Sequence, residues 1–106
     1  GKLIKPHVYK VEGIGEDYLV KAVDFNLIDN IIQVHDKESF LMARRLAREE
    51  GIFAGGSSGS AVWTAIKIAS KIKEVKNIVV ILPDSGNRYL SKLYNDDWMK
   101  ANGFLD

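Results

Sequence analysis

Three short loops built mainly from glycine, serine and aspartate carry the residue types that could do chemistry in this chain. They are Gly13-Ile14-Gly15, the glycine–serine run 55–60 (GGSSGS), and the turn 83–86 (PDSG). Glycine lets a ligand lie flat against the backbone, and the N–H groups at a helix N-terminus favour phosphate. Each loop taken alone also fits an ordinary turn or helix cap, so both interpretations stay open for each of them.

The glycine–serine run matches the pattern G-x-S-x-G at residues 55–59, between a possible strand (52–54) and a helix. This is the context of a hydrolase nucleophile elbow, in which a histidine later in the chain takes the proton of the serine. The only histidines are His7 and His35, and both precede the run. The pattern therefore disfavours a hydrolase. It leaves an anion-binding loop or a helix cap made by Ser58 or Ser60.

Ser85 stands at the end of the most strongly apolar segment of the chain. Residues 78–82 (IVVIL) are short, β-branched and bounded by turn residues, which is typical of a strand buried on both faces of a parallel sheet. Ligands of open α/β sheets bind in the crevice outside the carboxyl ends of such strands. The pattern thus places Ser85 where chemistry is expected, with a cap formed by Ser85 or Asp84 as the simpler alternative.

Apolar periodicity predicts the elements that position these loops. Strands are predicted at 8–11, 31–34 and 78–82, and helices at 36–50, 61–73, 88–94 and 96–101. Asp36 is the predicted N-cap of the first helix, Gly51 its stop, and the second helix is apolar enough to be mostly buried. Alternating helices and strands indicate an α/β layer with a parallel sheet. Two or three strands are fewer than a stable sheet needs, so we expect protein outside this chain to complete it.

Composition sets the broad class. The chain has 106 residues, enough for one modest domain, and is 46% hydrophobic and 27% charged, as in ordinary globular proteins. Its formal charge of +1 is spread without a basic block, which predicts neither nucleic-acid nor membrane-surface binding. The absence of cysteine excludes disulfide scaffolds and cysteine-rich zinc sites, and fits an intracellular setting.

The combination of motifs is more specific than any one of them. In chain order VEGIG, ARRLAREEGIFAGGSSGSAV, IVVILPDSGNRYLSKLYNDDWM and GFL resemble the C-terminal part of the catalytic domain in the cysteine synthase and cystathionine β-synthase family. The ending NDDWMKANGFL favours the cystathionine β-synthase branch. The resemblance implies an α/β fold, with residues 1–106 forming part of a three-layer parallel-sheet domain of the tryptophan-synthase-β-like (fold type II) pyridoxal-phosphate enzymes.

The resemblance also implies roles for particular residues. Ser85 matches the serine whose hydroxyl hydrogen-bonds the pyridine nitrogen of pyridoxal 5'-phosphate, and Gly13, Ile14 and Gly15 match a loop beside the cofactor and substrate. The 55–60 run matches a further loop near the cofactor. A neutral hydroxyl does not hold the ring nitrogen firmly protonated, which makes the ring a weaker electron sink suited to losing a β-substituent. No metal is implied.

The implied activity is that of a lyase that replaces the β-substituent of serine or O-acetylserine with a thiol. Homocysteine as the thiol gives cystathionine by transsulfuration, and sulfide gives cysteine, as in a cysteine synthase. The family's Schiff-base lysine, asparagine-containing substrate loop and glycine–threonine phosphate loop have no match here. We therefore expect no catalytic residue in this chain, which alone is expected to be inactive and to need the remainder of the catalytic domain. A cytoplasmic homodimer is implied. Two hypotheses of a different class stay open: a non-catalytic phosphate- or nucleotide-binding module, and a purely structural fragment.

Overall fold

The computed structural model describes residues 10–11, 21–74 and 76–106. Three α-helices run through this part of the chain: α1 (Asp36–Arg45), α2 (Gly56–Ala69) and α3 (Asp96–Ala101). Shorter turns are the 3-10 helices Phe25–Leu27 and Gly86–Tyr89 and the π-helical turn Leu46–Glu50. None of the described helices is long and apolar enough to cross a membrane. The loop 13–15 and most of the predicted strand 8–11 lie outside the described residues.

Helix α1 follows its predicted apolar stripe, but it begins one residue earlier than a helix capped by Asp36 would begin. Its N-cap is His35, whereas Asp36 is the first helical residue, so the prediction of Asp36 as the cap is wrong. The Asp36 carboxylate instead accepts hydrogen bonds from the backbone N–H groups of Lys10 (2.6 Å) and Val11 (3.1 Å). The side chain that looked like a local cap therefore ties a distant part of the chain to the start of α1.

The predicted stop at Gly51 is confirmed. Gly51 has φ of 69°, the left-handed conformation that glycine adopts without strain. Its N–H donates to Ala47 O (3.2 Å) and the N–H of Ile52 donates to Leu46 O (3.1 Å), the paired bonds of a glycine-terminated helix. The chain can therefore leave the helical axis directly after the π-helical turn.

Helix α2 begins inside the glycine–serine run, five residues before its predicted start. Its N-cap is Gly55, with no side-chain cap, so the expected cap from Ser58 or Ser60 is wrong. The expectation of a mostly buried helix is also wrong for this chain, because its buried residues are Gly56, Ser58 and Gly59, and the chain is exposed from residue 66 to 70. The early start has a tertiary cause, which is the packing of these small residues against α1.

The α1–α2 contact is made where both helices carry small side chains. A Cβ on Gly59 would overlap the carbonyl oxygen of Ser39, and one on Gly56 would lie 2.8 Å from Cε1 of Phe40. At the same crossing the hydroxyls of Ser39 and Ser60 share a hydrogen bond of 2.6 Å, and Ser39 Oγ also donates to His35 O (3.0 Å). Glycine thus lets the two backbones approach until a buried hydroxyl pair can form.

The hydrophobic core joins α1 to the C-terminal part of the chain. Its buried members are Val11, Phe40, Ala43, Tyr89, Leu93 and Met99. Ring edges of Trp98 and Phe104 pack on Phe40, with centroid distances of 5.6 and 5.3 Å. Helix α3, whose predicted bounds are confirmed, is capped by Asn95, whose side chain accepts from the N–H of Trp98 (3.0 Å). This core fixes the C-terminal part of the chain against α1.

The predicted strands 31–34 and 78–82 carry no strand assignment in the described chain. Their side chains nevertheless alternate between exposed and half-buried over 31–35 and over 79–85, which is the two-residue period of an extended strand. Val79 and Ile81 are 90% and 78% exposed, so one face of the second segment is uncovered here. The parallel sheet therefore remains a prediction, and its two segments have the burial pattern of strands without partners.

Candidate functional site

Two of the three predicted loops meet at one junction. The N–H of Gly55 donates to Asp84 O (3.2 Å), and the N–H of Gly86 donates to Phe53 O (3.0 Å). An isolated antiparallel bridge between Ala54 and Ser85 lies between these two bonds. The start of α2 and the end of the second apolar segment are thus joined backbone to backbone.

Ser85 caps the 3-10 turn that follows it. Its backbone is extended (φ −84°, ψ 159°), and its Oγ accepts from the N–H of Asn87 (3.3 Å), so the capping interpretation is confirmed. The side chain is exposed, and a hydroxyl that accepts one hydrogen bond can still donate its proton. The Ser85 hydroxyl therefore caps the turn and can still donate a hydrogen bond.

Asp84 packs directly against the start of α2. Its Oδ2 accepts a hydrogen bond from the hydroxyl of the buried Tyr89 (2.6 Å), while Oδ1 is buried and has no partner in the part of the chain that the structure describes. A Cβ on Gly55 would overlap Oδ1 and would lie 2.6 Å from Cε2 of Tyr89. Only glycine fits at this cap without displacing the carboxylate or the ring.

A groove of about 640 Å³ opens between α2 and the two apolar segments. Its lining is mostly aliphatic, and its polar side chains are three hydroxyls of α2: Ser57, Ser60 and Thr64. Ser60 pairs with Ser39 on α1, and Thr64 Oγ1 donates to Ser60 O within α2 (2.9 Å), so both of these hydroxyls are already hydrogen-bonded. Ser57 stands in the first turn of α2, two residues after the Gly55 cap.

The electrostatics of the junction follow from this arrangement. The first turn of α2 contains no acidic residue and its cap has no side chain, so the partial positive charge of the helix N-terminus is not neutralised from within the helix. Ser58 Oγ, in the same turn, is buried without a hydrogen-bond partner in the described residues. Nearby, burial raises the pKa of the Tyr94 phenol, whose hydroxyl donates to the carbonyl of Ala54. The first turn of α2 therefore keeps a partial positive charge and a buried hydroxyl that nothing in the described residues satisfies.

Sequence reasoning found the two loops but not their conformation. The glycine–serine run was predicted as a loop, because all six of its residues disfavour helix interiors or prefer caps. The available signal was the small-residue spacing of Gly56, Gly59 and Ser60, which places three small side chains on one helical face. Ser57 was not predicted to line the groove, because the run was assigned to a loop and not to a helix.

Comparison with known proteins gives the class. Residues 2–84 match the profile of the family described as pyridoxal-phosphate dependent enzymes, and the chain belongs to this family. Over 98 residues it is 49% identical to a cystathionine beta-synthase of Dictyostelium discoideum, covering 92% of this chain and 20% of that protein. It is 43% identical over 106 residues to a cysteine synthase of Buchnera aphidicola (subsp. Schizaphis graminum), covering 98% of the chain and 33% of the relative.

The structure is similar to that of O-ureido-L-serine synthase, with a TM-score of 0.77 and 35% sequence identity over 88% of this chain and 32% of that one. The chain therefore spans about a fifth to a third of the length of these relatives. The family resemblance, the fold type II class and the dependence of the family on pyridoxal phosphate are confirmed. The parallel sheet is not confirmed, because the described residues form no strand.

The residues at the junction fit the ring end of this cofactor. A pyridine ring has two apolar faces and one polar nitrogen edge. The groove supplies aliphatic walls such as Val34, Ala65 and Val80 and the hydroxyl of Ser57. Ser58 Oγ and Asp84 Oδ1, two buried polar atoms without partners in the described chain, belong to the junction and do not line the groove. The polar groups that a pyridine nitrogen requires are therefore at the junction, where the hydroxyl of Ser85 is exposed.

Proposed function

We propose that residues 1–106 are the C-terminal portion of a longer pyridoxal-phosphate-dependent catalytic domain that catalyses β-replacement on serine or an activated serine with a thiol. The observation that carries the proposal is the similarity of nearly the whole chain to two synthases, of which it spans only a fifth and a third. In this assignment the chain supplies one wall of the cofactor pocket. The lysine that binds the cofactor and the phosphate loop belong to the remainder of the domain.

The exposed surface supports an incomplete domain. Several large apolar side chains are among the exposed ones, including Ile31 (69%), Val79 (90%) and Ile81 (78%). A soluble domain does not leave such β-branched segments uncovered, because they form edges open to strand pairing. We assign them to a parallel sheet completed by the rest of the catalytic domain.

Pyridoxal phosphate, when bound, supplies an electron sink that stabilises negative charge at the substrate Cα. The task proposed for this chain is to hold the ring nitrogen with a neutral hydroxyl, as the resemblance implies for Ser85. Ser57 is a second candidate for this task because its side chain lines the groove. In either case the hydroxyl donates to the nitrogen and orients the ring. The Gly13-Ile14-Gly15 loop, near the other end of the chain, is also proposed to contact the cofactor and the substrate.

For the thiol we propose homocysteine, giving cystathionine, with cysteine synthesis from O-acetylserine and sulfide as the second candidate. The first rests on the ending NDDWMKANGFL and on the 49% identity to the Dictyostelium enzyme. The second is favoured by the Buchnera cysteine synthase, which matches 98% of the chain at 43% identity. A cytoplasmic homodimer completes the proposal, by the same resemblance.

The test uses the full-length protein that contains this chain. Purified protein is mixed with pyridoxal phosphate, and its absorption spectrum is recorded before product formation is measured from serine plus homocysteine and from O-acetylserine plus sulfide. Cystathionine formation at the higher kcat/KM supports the first candidate, and cysteine formation at the higher value supports the second. Failure to bind the cofactor would refute the proposal, and phosphate binding without cofactor binding would support the non-catalytic module.

The partner of the ring nitrogen is identified with Ser57→Ala and Ser85→Ala, and with Ser91→Ala at an exposed turn as the matched control. Loss of the hydroxyl that meets the nitrogen should shift the cofactor absorption and lower turnover, while the control leaves both unchanged. Ser85→Asp adds a second measurement, because a carboxylate at the nitrogen would keep it protonated and change the spectrum further. If the spectrum is the same in all four variants, neither serine meets the ring.

A further inference from the structure

The side chain of Tyr94 contacts both backbone segments that meet at the junction. Its ring packs on that of Phe53, with the ring centroids 4.8 Å apart, and a Cβ built on Gly86 would lie 2.8 Å from Tyr94 Cε2. Phe53 lies just before the start of α2, and Gly86 follows the second apolar segment. One aromatic ring therefore touches each side of the backbone pairing that joins these segments.

The hydroxyl of Tyr94 is bonded to the residue that pairs with Ser85. It donates to the carbonyl of Ala54, and Ala54 forms the isolated antiparallel bridge with Ser85. Only two backbone hydrogen bonds, of 3.2 and 3.0 Å, flank this bridge, and no strand extends it in the described residues. The phenol therefore adds a third attachment to a short pairing. Burial raises the pKa of the Tyr94 phenol, so the hydroxyl keeps its proton and stays a donor at neutral pH.

Tyr94 is itself fixed by the hydrophobic core. The preceding residue, Leu93, is 1% exposed, and Arg44 of α1 donates to its carbonyl oxygen (2.9 Å). The Tyr94 hydroxyl is also 3.4 Å from Ala43 O on α1. The phenol thus connects the pairing at Ser85 to the core around α1, which is more rigid than an exposed turn.

The side chain of Ser85 has little else to fix it. It is exposed, and its one hydrogen bond, from the N–H of Asn87, is long at 3.3 Å. The position of the hydroxyl is therefore determined by the backbone at Ser85. A hydroxyl that has to meet one ring nitrogen needs a precise position, because small displacements of a positioning group lower the rate strongly.

We propose that Tyr94 is a positioning residue for Ser85: by binding the Ala54 carbonyl and packing beside Gly86, it holds the bridge that places the Ser85 hydroxyl opposite the ring nitrogen of the cofactor. This inference rests on the proposed function, with Ser85 as the partner of the nitrogen. Tyr94 acts through the bridge and does not itself touch the cofactor.

The experiment is a double-mutant cycle in the full-length protein saturated with pyridoxal phosphate. The absorption band of the bound cofactor and kcat are measured for the unaltered protein, Tyr94→Phe, Ser85→Ala and the double variant. Tyr94→Phe removes the donor and leaves the ring in place. We expect it to shift the band in the same direction as Ser85→Ala, to lower kcat by about tenfold, and to have almost no further effect once residue 85 is alanine.

Ser70→Ala is the matched control. It also removes a hydroxyl that donates to a backbone carbonyl, that of Lys67 (2.7 Å), but at the exposed end of α2. It should leave the band and kcat unchanged. Phe53→Leu is a second variant that loosens the ring contact and keeps the Tyr94 hydroxyl, and it should shift the band in the same direction as Tyr94→Phe.

The position of the absorption band separates positioning from loss of fold. Partial unfolding lowers the amount of bound cofactor, but it does not move the band of the cofactor that stays bound. An unchanged band in Tyr94→Phe, or equal effects with and without the Ser85 hydroxyl, would overturn the inference and leave the proposed function standing. The same holds if Ser85→Ala leaves the band unchanged while the cofactor is bound. If the unaltered protein binds no cofactor, the proposed function is refuted and the inference with it.

Discussion

Gly59→Ala tests whether the α1–α2 crossing depends on the absence of a side chain. The added methyl group would overlap the carbonyl oxygen of Ser39 and would lie 2.9 Å from its carbonyl carbon and 3.0 Å from the backbone nitrogen of Ala43. All three neighbours are backbone atoms of α1, which cannot rotate out of the way. The helices have to separate, and separation stretches the hydrogen bond between the Ser39 and Ser60 hydroxyls.

Two opposing contributions decide the sign of the effect. Replacing glycine by alanine inside a helix stabilises it by about 1 kcal/mol. Overpacking a close contact costs about 1–3 kcal/mol, and weakening a partly buried hydrogen bond costs about 1 kcal/mol more. The middle of the steric range, about 2 kcal/mol, applies because the α1 backbone cannot rotate away but α2 can shift as a unit. We expect a net destabilisation of about 2 kcal/mol for the unit formed by the two helices.

Hydrogen exchange of the full-length protein, followed by mass spectrometry, measures this locally. A loss of about 2 kcal/mol corresponds to amides of α1 and α2 exchanging roughly thirtyfold faster. Lys67→Ala compared with Lys67→Gly, at an exposed position of α2, measures the propensity contribution by itself. Exchange in Gly59→Ala that is unchanged or slower would show that the propensity gain outweighs the contact, and that the helices do not pack as described.

Three further outcomes are expected. Val79→Asp, at a side chain 90% exposed here, should sharply reduce the soluble yield of the full-length enzyme if a sheet covers it, whereas Leu27→Asp, 80% exposed and outside any predicted strand, should be tolerated. Burial raises the pKa of the Tyr94 phenol in the folded protein. The unfolded chain therefore releases this proton near pH 10, while the folded protein still keeps it. The free energy of unfolding should fall as the pH rises above about 10, until the folded-state pKa is passed. An absorbance titration should show a late phenol ionisation that Tyr94→Phe removes. Asn95→Ala deletes the cap that accepts from Trp98 N–H and should speed hydrogen exchange in α3 roughly fivefold, for a loss of about 1 kcal/mol; unchanged exchange would show that the cap contributes nothing.

Sequence signals were sufficient to predict those features of the fold that depend only on residues close together in the chain. The bounds of α3 follow from Asn95 and the apolar spacing after it, and the end of α1 and its π-helical turn follows from Gly51, whose left-handed φ of 69° needs no distant contact. The position of Ser85 as a cap was among the two interpretations that the turn residues allowed. Each of these features depends on residues within one or two helical turns of each other.

The features that sequence reasoning missed depend on contacts between distant residues. Asp36 has the type and place of a helix cap, but its carboxylate serves backbone groups 25 and 26 residues away. The start of α2 is shifted into the glycine–serine run because Gly59 and Ser60 meet Ser39 on α1. Helix propensity disfavours glycine there, and tertiary packing overrides it. The same shift moves Ser57 from a loop into the groove wall, so the second candidate for the ring nitrogen could only come from the structure.

The exposed apolar side chains indicate what kind of structure would cover them. They lie in the segments 31–34 and 78–82, whose side chains alternate with the two-residue period of a strand. Ile31, Val79 and Ile81 in these segments are 69%, 90% and 78% exposed. Strands of this composition have both faces covered in a parallel sheet, and their unpaired edges favour pairing with further strands. We therefore expect strands from the rest of the proposed domain, added beside these two segments, to cover them.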